Sequence, residues 1–445
     1  MAEPKRSVMP KRSVMPKRSV MVVGGGSARD HALVRALASS DRVSRVLFVP
    51  GNSAVERLEG VESAPVATQD IAGLAELAMM EEIDLTVVGP NTPLIMGIVD
   101  RFRDQGLPVF GPGRTAARLE GSKVFAKNFM LRHQIPTARF AVFHDTDRAA
   151  YFCRSKRWAR VIKTDGLAYE RGVEVCHSVA QCEAAVQRIM VDEVLDADGQ
   201  AKVVIEERLE GPEITLCALS DGHDVLILDA NLNYPRALDG NQGMRTRGMG
   251  AVSPAPDVDE ALIARMHQEI VLPAIRGLEE WGPPLVGALF VDLIVQRGEP
   301  YVLDFNVRFG DPATQVMLQR LNSDLFELLE ACVAGRLGEY RRDSLRIDPR
   351  TAVSVVVATE GYPSVRRRDD PVTLAEGLET PDRSVHLGGI RWARGELLTT
   401  GARVATVTAL GDTLEAATAS VYEGARGVAF DGAHYRGDIG SGTSQ

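Results

Sequence analysis

The sequence predicts an α/β protein in three folded parts: an N-terminal parallel sheet flanked by helices, a central mixed domain, and a smaller C-terminal mixed domain. Three observations carry this. The short apolar runs Ser19–Val23, Val46–Val49, Leu85–Val88 and Val109-Phe110 alternate with helical stretches, the pattern of a parallel sheet with helices on both faces. Each of these runs ends in Gly or Pro, at the strand ends where open parallel sheets bind ligands. Far downstream, Leu303–Gln315 (LDFNVRFGDPATQ) closes another strand with a dense polar cluster.

Composition bounds the function. A chain of 445 residues supports several domains, and its net charge of −9 argues against broad electrostatic binding to nucleic acid or membrane. The five cysteines are scattered and odd in number, which fits idle thiols in a reducing cytoplasm. The eight histidines show no zinc spacing. No apolar run reaches membrane-spanning length. Residues 1–17 carry a KRSVMP repeat, basic and without an apolar core, and are expected to form a disordered arm.

The first folded part is expected over 18–120. Its opening strand runs into Gly24-Gly25-Gly26-Ser27 and a helix from about Arg29, a phosphate- or carboxylate-sized anion site with Gly26 in the turn. The turn lacks a dinucleotide fingerprint, because the next strand ends in Pro50-Gly51-Asn52 and not in an acidic residue. That weakens the reading of a nicotinamide-dependent dehydrogenase.

The second part is expected over 121–345. It begins with a helix after Leu119-Glu120-Gly121-Ser122-Lys123. The strand Val161-Ile162-Lys163 enters a loop, Thr164–Gly172, rooted in a lysine and able to fold over phosphates. Val203-Val204-Ile205 leads into the acidic run Glu206–Glu213. Strands follow near Ile214–Leu219 and Val225–Asp229. Asn233–Gly250 is glycine-rich and lacks periodicity, as functional connections do. A helix is expected from about Asp259 to Gly277, then a hairpin of Val286–Gln296 and Pro300–Asn306 across Arg297-Gly298-Glu299. The third part, 346–445, contributes strands such as Val353–Ala358 and Arg403–Ala409 and a helix at Leu414–Ala425.

If the last strand of the hairpin continues through Val307, its period of two places Asp304, Asn306 and Arg308 on one face. A carboxylate beside an amide oxygen suits a hard cation such as Mg²⁺ near phosphates, and arginine can clamp a carboxylate or phosphate. The hairpin turn decides a further ligand. A three-residue turn pairs Gln296 with Pro300 and sets Asp292 opposite Asp304, whereas a two-residue turn shifts the register by one and turns Asp292 away.

With these motifs in order, the chain resembles the phosphoribosylamine–glycine ligase family of the ATP-grasp superfamily, from about Val20 to the C-terminal helix. The landmarks are PGN at Pro50, VGPNTPL at Val88, LEGSK at Leu119, IKTDGLA at Ile162, VVIEERLEGPE at Val203, RGMGAVSPAP at Arg247 and DFNVRFGDPATQ at Asp304. The resemblance implies an N-terminal pre-ATP-grasp domain, an ATP-grasp domain and a small C-terminal domain. It implies an ADP-forming ligase that joins an amino acid to an amine through an acyl phosphate, with ATP and Mg²⁺ (or Mn²⁺). Lys123 and Lys163 match lysines on the ATP phosphates. Glu206 to Leu209 match the backbone that reads adenine, and Glu213 matches the ribose contact. Asp304, standing for the family's glutamate, and Asn306 match metal ligands, with Asp292 added by the hairpin argument. Arg308 and Asp311 match residues beside the reacting acid and amine. Gly26, Asn52, Arg236, Arg245, Arg247 and Gly248 are the candidate substrate contacts. Small-molecule substrates, a monomer or homodimer, and no nucleic-acid or membrane partner complete the expectation.

The sequence also departs from the family pattern. The phosphate loop has Glu170 and Arg171 where the family has Gly and Lys, and Arg245 and Arg247 replace neutral residues of the acceptor loop. Guanidinium groups match carboxylates and phosphates. The reading preferred from sequence is therefore a paralogue with the same chemistry and a more acidic substrate. The family's own reaction is one alternative, and a catalytically silent nucleotide-binding regulator is another.

Overall fold

The computed structural model describes residues 17–55, 58–166, 172–192 and 202–441. Apart from Lys17, the arm expected over 1–17 lies outside them. The N-terminal sheet is parallel throughout. Its spatial order is Val61–Ser63, Val43–Pro50, Arg18–Gly24, Leu85–Val88, Val109–Phe110. The chain winds outward in both directions from Arg18–Gly24, so the Gly24–Ser27 turn sits at the switch point of the sheet, where a crevice opens. Val20, Met21, Val22 and Val23 are all fully buried, as both faces of a covered parallel strand must be.

A small lobe follows. Its antiparallel sheet runs Phe140–Phe143, Val203–Glu207, Ala159–Thr164, Val173–Val175. Helices Thr146–Ser155 and Val179–Gln187 cover it and close a core of its own around Ala149, Cys153, Ile162, Cys182 and Ile205.

The largest sheet has nine strands. Glu299–Asn306, Val286–Gln296, Glu213–Asp221, Val225–Asn233 and Gly250–Ser253 are followed by Thr351–Thr359, Arg403–Gly411 and Arg383–Leu387, with Ala433–His434 pairing at one end of Thr351–Thr359. Gly250–Ser253 pairs antiparallel with Thr351–Thr359, so strands from both sides of residue 345 share one sheet. The helix expected from Asp259 is capped by the Asp259 carboxylate, which accepts from the Leu262 amide at 2.8 Å. It continues as Glu260–Met266, a wider π turn at His267–Val271, and Leu272–Glu279. The stretch Asn233–Gly250, expected to be irregular, contains a small hairpin of Arg236–Leu238 and Gln242–Arg245. Among the described residues no helix is long and apolar enough to cross a membrane.

The decisive hairpin differs from both registers weighed above. Its turn has two residues, Arg297 and Gly298, both at positive φ (56° and 81°), and Gln296 pairs with Glu299. Such a turn matches the twist of the strands it joins. Alone it would turn Asp292 away. A β-bulge corrects it: Leu293 pairs with Val302 while Asp292 pairs with Asp304, leaving Leu303 as the extra residue. The two carboxylates do face one another, by a device other than the three-residue turn expected.

Two glycines test the backbone argument. A methyl at Gly298 meets nothing within 4 Å, so Gly298→Ala carries only the left-handed penalty, about 1–2 kcal/mol. A methyl at Gly211 (φ 150°) would lie 2.2 Å from the Val295 carbonyl oxygen. Thermal melts should rank Gly211→Ala well below Gly298→Ala, and equal melting temperatures would contradict this account of the hairpin.

Candidate active site

The cleft between the three parts is lined along its floor by the hairpin. Lys123 begins the helix Lys123–Arg132, and its Nζ lies 2.5 Å from Asp304 Oδ1. Asp292 Oδ1 accepts from the Thr215 hydroxyl (2.6 Å) and Oδ2 from the Asn306 amide (2.8 Å). Asn306 Oδ1 accepts from Arg308 Nη2 at 3.0 Å, and Arg308 also pairs with Glu120 at 3.1 Å. Glu120, 5% exposed, further accepts from the Val307 amide and from Asn91. The regular strand stops at Asn306, yet Arg308 still joins the same polar row.

The two facing carboxylates differ in electrostatics. Burial raises the Asp292 pKa, and its two hydrogen bonds, both from neutral groups, only partly oppose that. Burial also works against charge on Asp304, but Lys123 and Lys163 outweigh it and hold Asp304 below its ordinary value. Asp292 thus lacks the directly bonded cationic partner that Asp304 has.

Behind the floor, Glu206 lies between Lys127 (2.9 Å) and Lys163 (3.1 Å), all three side chains nearly fully buried. Lys163 also donates to the Leu303 carbonyl at 2.9 Å. Lys163 and Glu206 therefore belong to the wall of the site and do not line the open cleft. Leu209 is half-buried in the link between strands and does not line it either. Of the expected phosphate loop, the ends Thr164, Gly166 and Gly172 line the cleft; Glu170 and Arg171 lie outside the described residues. Asp165 ties the loop to the start of the helix Lys123–Arg132 by accepting from Ser122 Oγ (2.8 Å) and the Val124 amide (3.1 Å).

At the far end Asp311 pairs with Arg403 at 2.7 Å. Burial opposes its charge, but Arg403 and Arg29 keep its pKa below the usual range. Arg29 is held by Asp30 and donates to the Phe309 carbonyl. The candidate substrate residues divide. Arg245, Arg247 and Gly248 line the cleft, and Arg245 is held bidentately by Glu213 at 2.8 and 2.6 Å. Arg236 bonds the Gly243 carbonyl and lies outside the lining. Asn52 braces the glycine turn by donating to the Gly25 carbonyl, and Gly26 lines a smaller adjoining hollow. The sequence reading missed Arg29, Glu120, Lys127, Asp165 and Arg403. Only Lys127 left a signal, lying four residues after Lys123 on one helix face.

Among the described residues no three His, Cys, Asp or Glu side chains cluster as a metal site. The floor offers two carboxylates and one amide, an oxygen set of the size that Mg²⁺ takes when phosphates complete its shell.

Three family profiles cover the chain: phosphoribosylglycinamide synthetase N domain over residues 18–120, ATP-grasp (A) domain over 121–314, and C domain over 352–442. Curated relatives include the phosphoribosylamine–glycine ligases of Xanthomonas axonopodis pv. citri, 41% identical over 94% of this chain and 96% of the relative, and of Ralstonia nicotianae, 42% identical over 94% and 98%. The crystal structure of the Thermotoga maritima phosphoribosylamine–glycine ligase superposes with a TM-score of 0.81 at 31% identity, covering 95% of this chain and all of that one. The biotin carboxylase–β,γ-ATP complex from Campylobacter jejuni shares the fold at 14% identity and a TM-score of 0.72, covering 95% of this chain and 94% of its own.

The wall of the site makes a pH prediction. Burial, only partly offset by Glu206, brings the Lys127 pKa down from 10.5 to about 8. Between these values the unfolded chain binds more protons than the folded one, so this group's contribution to stability rises with pH from about 8 to 10.5. The full span is roughly 3 kcal/mol at most. Wild type should therefore gain stability relative to Lys127→Met across that window in urea titrations. A difference that shrinks or reverses would refute the assignment.

Proposed function

The chain belongs to the phosphoribosylglycinamide synthetase family, and we propose that it joins glycine to phosphoribosylamine in an ATP-driven reaction that releases ADP and phosphate. It is an ADP-forming carbon–nitrogen ligase with the ATP-grasp fold. The observation that carries the specific reading is the continuous row Lys123–Asp304–Asp292–Asn306–Arg308–Glu120 on the cleft floor. Asp304, Asn306 and Asp292 would hold Mg²⁺ or Mn²⁺. The buried, weakly compensated charge of Asp292 is the feature a divalent cation would satisfy. When bound, ATP and its cation supply the γ-phosphoryl that converts the glycine carboxylate to an acyl phosphate and the charge that offsets its transfer.

The protein's own groups do the rest. Lys123, paired with Asp304 in this structure, would face the transferring phosphate. Lys163 and Lys127 keep the wall behind it positive without entering the cleft. Arg308, fixed by Glu120, presents its guanidinium to the carboxylate of glycine. Asp311, fixed by Arg403, stays ionised and orients the attacking amine. The backbone from Glu206 to Leu209, whose side chains do not line the cleft, would read adenine, and Glu213, which does, its ribose. The free, buried cysteines support a reducing cytoplasm as the place of work.

The more acidic substrate suggested by the altered loop loses its main support, because Glu213 already engages Arg245. The identities of about 40% over nearly whole relatives favour the family's own reaction.

ADP release should require glycine and phosphoribosylamine together. Asp304→Ala and Asn306→Ala should abolish it, while their melting temperatures stay close to wild type. Turnover of a dicarboxylic amino acid in preference to glycine would overturn the substrate assignment, and full activity of either variant would overturn the site.

A further inference from the structure

The reaction proposed above leaves Arg245 without a part, although it lines the cleft. Arg245 closes the small hairpin of the acceptor loop, and directly opposite it in that hairpin stands Arg236. Like charges across a ladder disfavour the pairing, so Arg245 does not serve the hairpin's own stability. Its partner lies outside, on Glu213, the first residue of the strand Glu213–Asp221. Each oxygen of Glu213 accepts one guanidinium N–H, at 2.8 and 2.6 Å. A fork of this kind fixes the plane of a carboxylate as well as its place. An ionised carboxylate has about four lone-pair sites, so each oxygen keeps one open for a second donor. Two residues further along the same strand face, the Thr215 hydroxyl accepts from the Asn233 amide and donates to Asp292 Oδ1 at 2.6 Å. The acceptor loop is therefore tied to one strand face twice, by Asn233 at its start and by Arg245 after its hairpin.

We propose that Arg245 is a positioning residue for the sugar of the nucleotide: it sets the Glu213 carboxylate so that the open site on each oxygen meets one of the two adjacent ribose hydroxyls. The proposal rests on the functional reading above, in which Glu213 contacts the ribose, and adds the residue that gives that contact its geometry. The ribose 2′- and 3′-hydroxyls are neighbouring donors. A carboxylate free to turn would meet them one at a time, whereas one held in a fork presents both acceptors together and loses less freedom when the nucleotide arrives. Arg245 acts through Glu213 and not on the reacting atoms. Because its guanidinium belongs to the acceptor loop, a nucleotide that holds Glu213 also steadies the hairpin of Arg236–Leu238 and Gln242–Arg245.

The test titrates the full-length protein with ADP, 2′-deoxyADP and 3′-deoxyADP in a calorimeter, each with Mg²⁺. Wild type should prefer ADP to both deoxy forms by roughly tenfold, the loss of one hydrogen bond to a charged group. Arg245→Met should cut that preference to about twofold, and Arg245→Lys should keep more of it, as a cation without the fork. Glu213→Gln should lose the preference likewise, and adding Arg245→Met to it should change nothing further, because the two act as one unit. The double variant carries no unpaired carboxylate, so it keeps the test sound if Arg245→Met alone is unstable. Amide exchange in the acceptor-loop hairpin should slow on adding ADP to wild type and not to Arg245→Met. A preference in Arg245→Met equal to that of wild type overturns the proposal, including the case where all three nucleotides weaken alike, the mark of a general loss of charge or structure. So does a further loss in the double variant, and so does ADP slowing the hairpin of Arg245→Met as it slows wild type. Wild type that fails to bind ADP, or binds it no better than the deoxy forms, removes the ribose contact at Glu213 and the role of Arg245 with it. Turnover with glycine and phosphoribosylamine decides the reaction separately.

Discussion

The bulge at Leu303 is the constraint on which the site depends. A tight two-residue turn fixes the end of the hairpin, and one extra residue then resets the register along it. The reset sets Asp292 opposite Asp304 and brings Asn306 within reach of both Asp292 and Arg308. It also frees a carbonyl. Leu303, outside the ladder, offers its oxygen to Lys163, which thereby links the hairpin to the small lobe. A ladder without the bulge would send one carboxylate to the opposite face and leave the lysine one acceptor short.

Charge in the site is arranged in two layers. Behind the floor, Glu206 holds two lysines in a buried cluster whose geometry is independent of any ligand. On the floor, the pairs Lys123–Asp304 and Arg308–Glu120 border the cleft and can be exchanged for ligand contacts. A buried carboxylate between two ammonium groups keeps the wall positive while limiting their mutual repulsion. At the other end, Arg403 comes from a strand shared with the C-terminal part, so the residue that orients Asp311 is fixed by the same nine-stranded sheet that carries the hairpin.

Much of this was legible in the sequence because local rules dominate there. Four of the five strands of the N-terminal sheet carry continuous apolar runs with Gly or Pro at their ends, and those signals need no tertiary context. The DFNVR run announced its polar face by the period of two alone. The bulge left no mark: Leu303 is neither glycine nor polar, and the register was weighed from turn length only. Glu120 lay within the quoted LEGSK run but reads as an ordinary helix glutamate until Arg308 is packed against it. Arg403 stands 92 residues beyond Asp311, and no spacing rule reaches that far. Arg245 lines the cleft, but its partner Glu213 is 32 residues away on another strand, so in the sequence the guanidinium looked free.

The small lobe packs around a core that shares no residue with the two large ones. Lys163 ties it to the hairpin through the Leu303 carbonyl, and Glu206 ties it to Lys127 of the helix Lys123–Arg132. A lobe built this way is an insulated module. Drift in its interior, such as the exchange of one buried cysteine for another small apolar residue, reaches the cleft through the lobe's rim, at Lys163, Glu206 and the loop ends Thr164, Gly166 and Gly172. The lobe can therefore diverge with little re-tuning of the cleft around Asp311 and Arg403, and selection on the two can proceed at different rates.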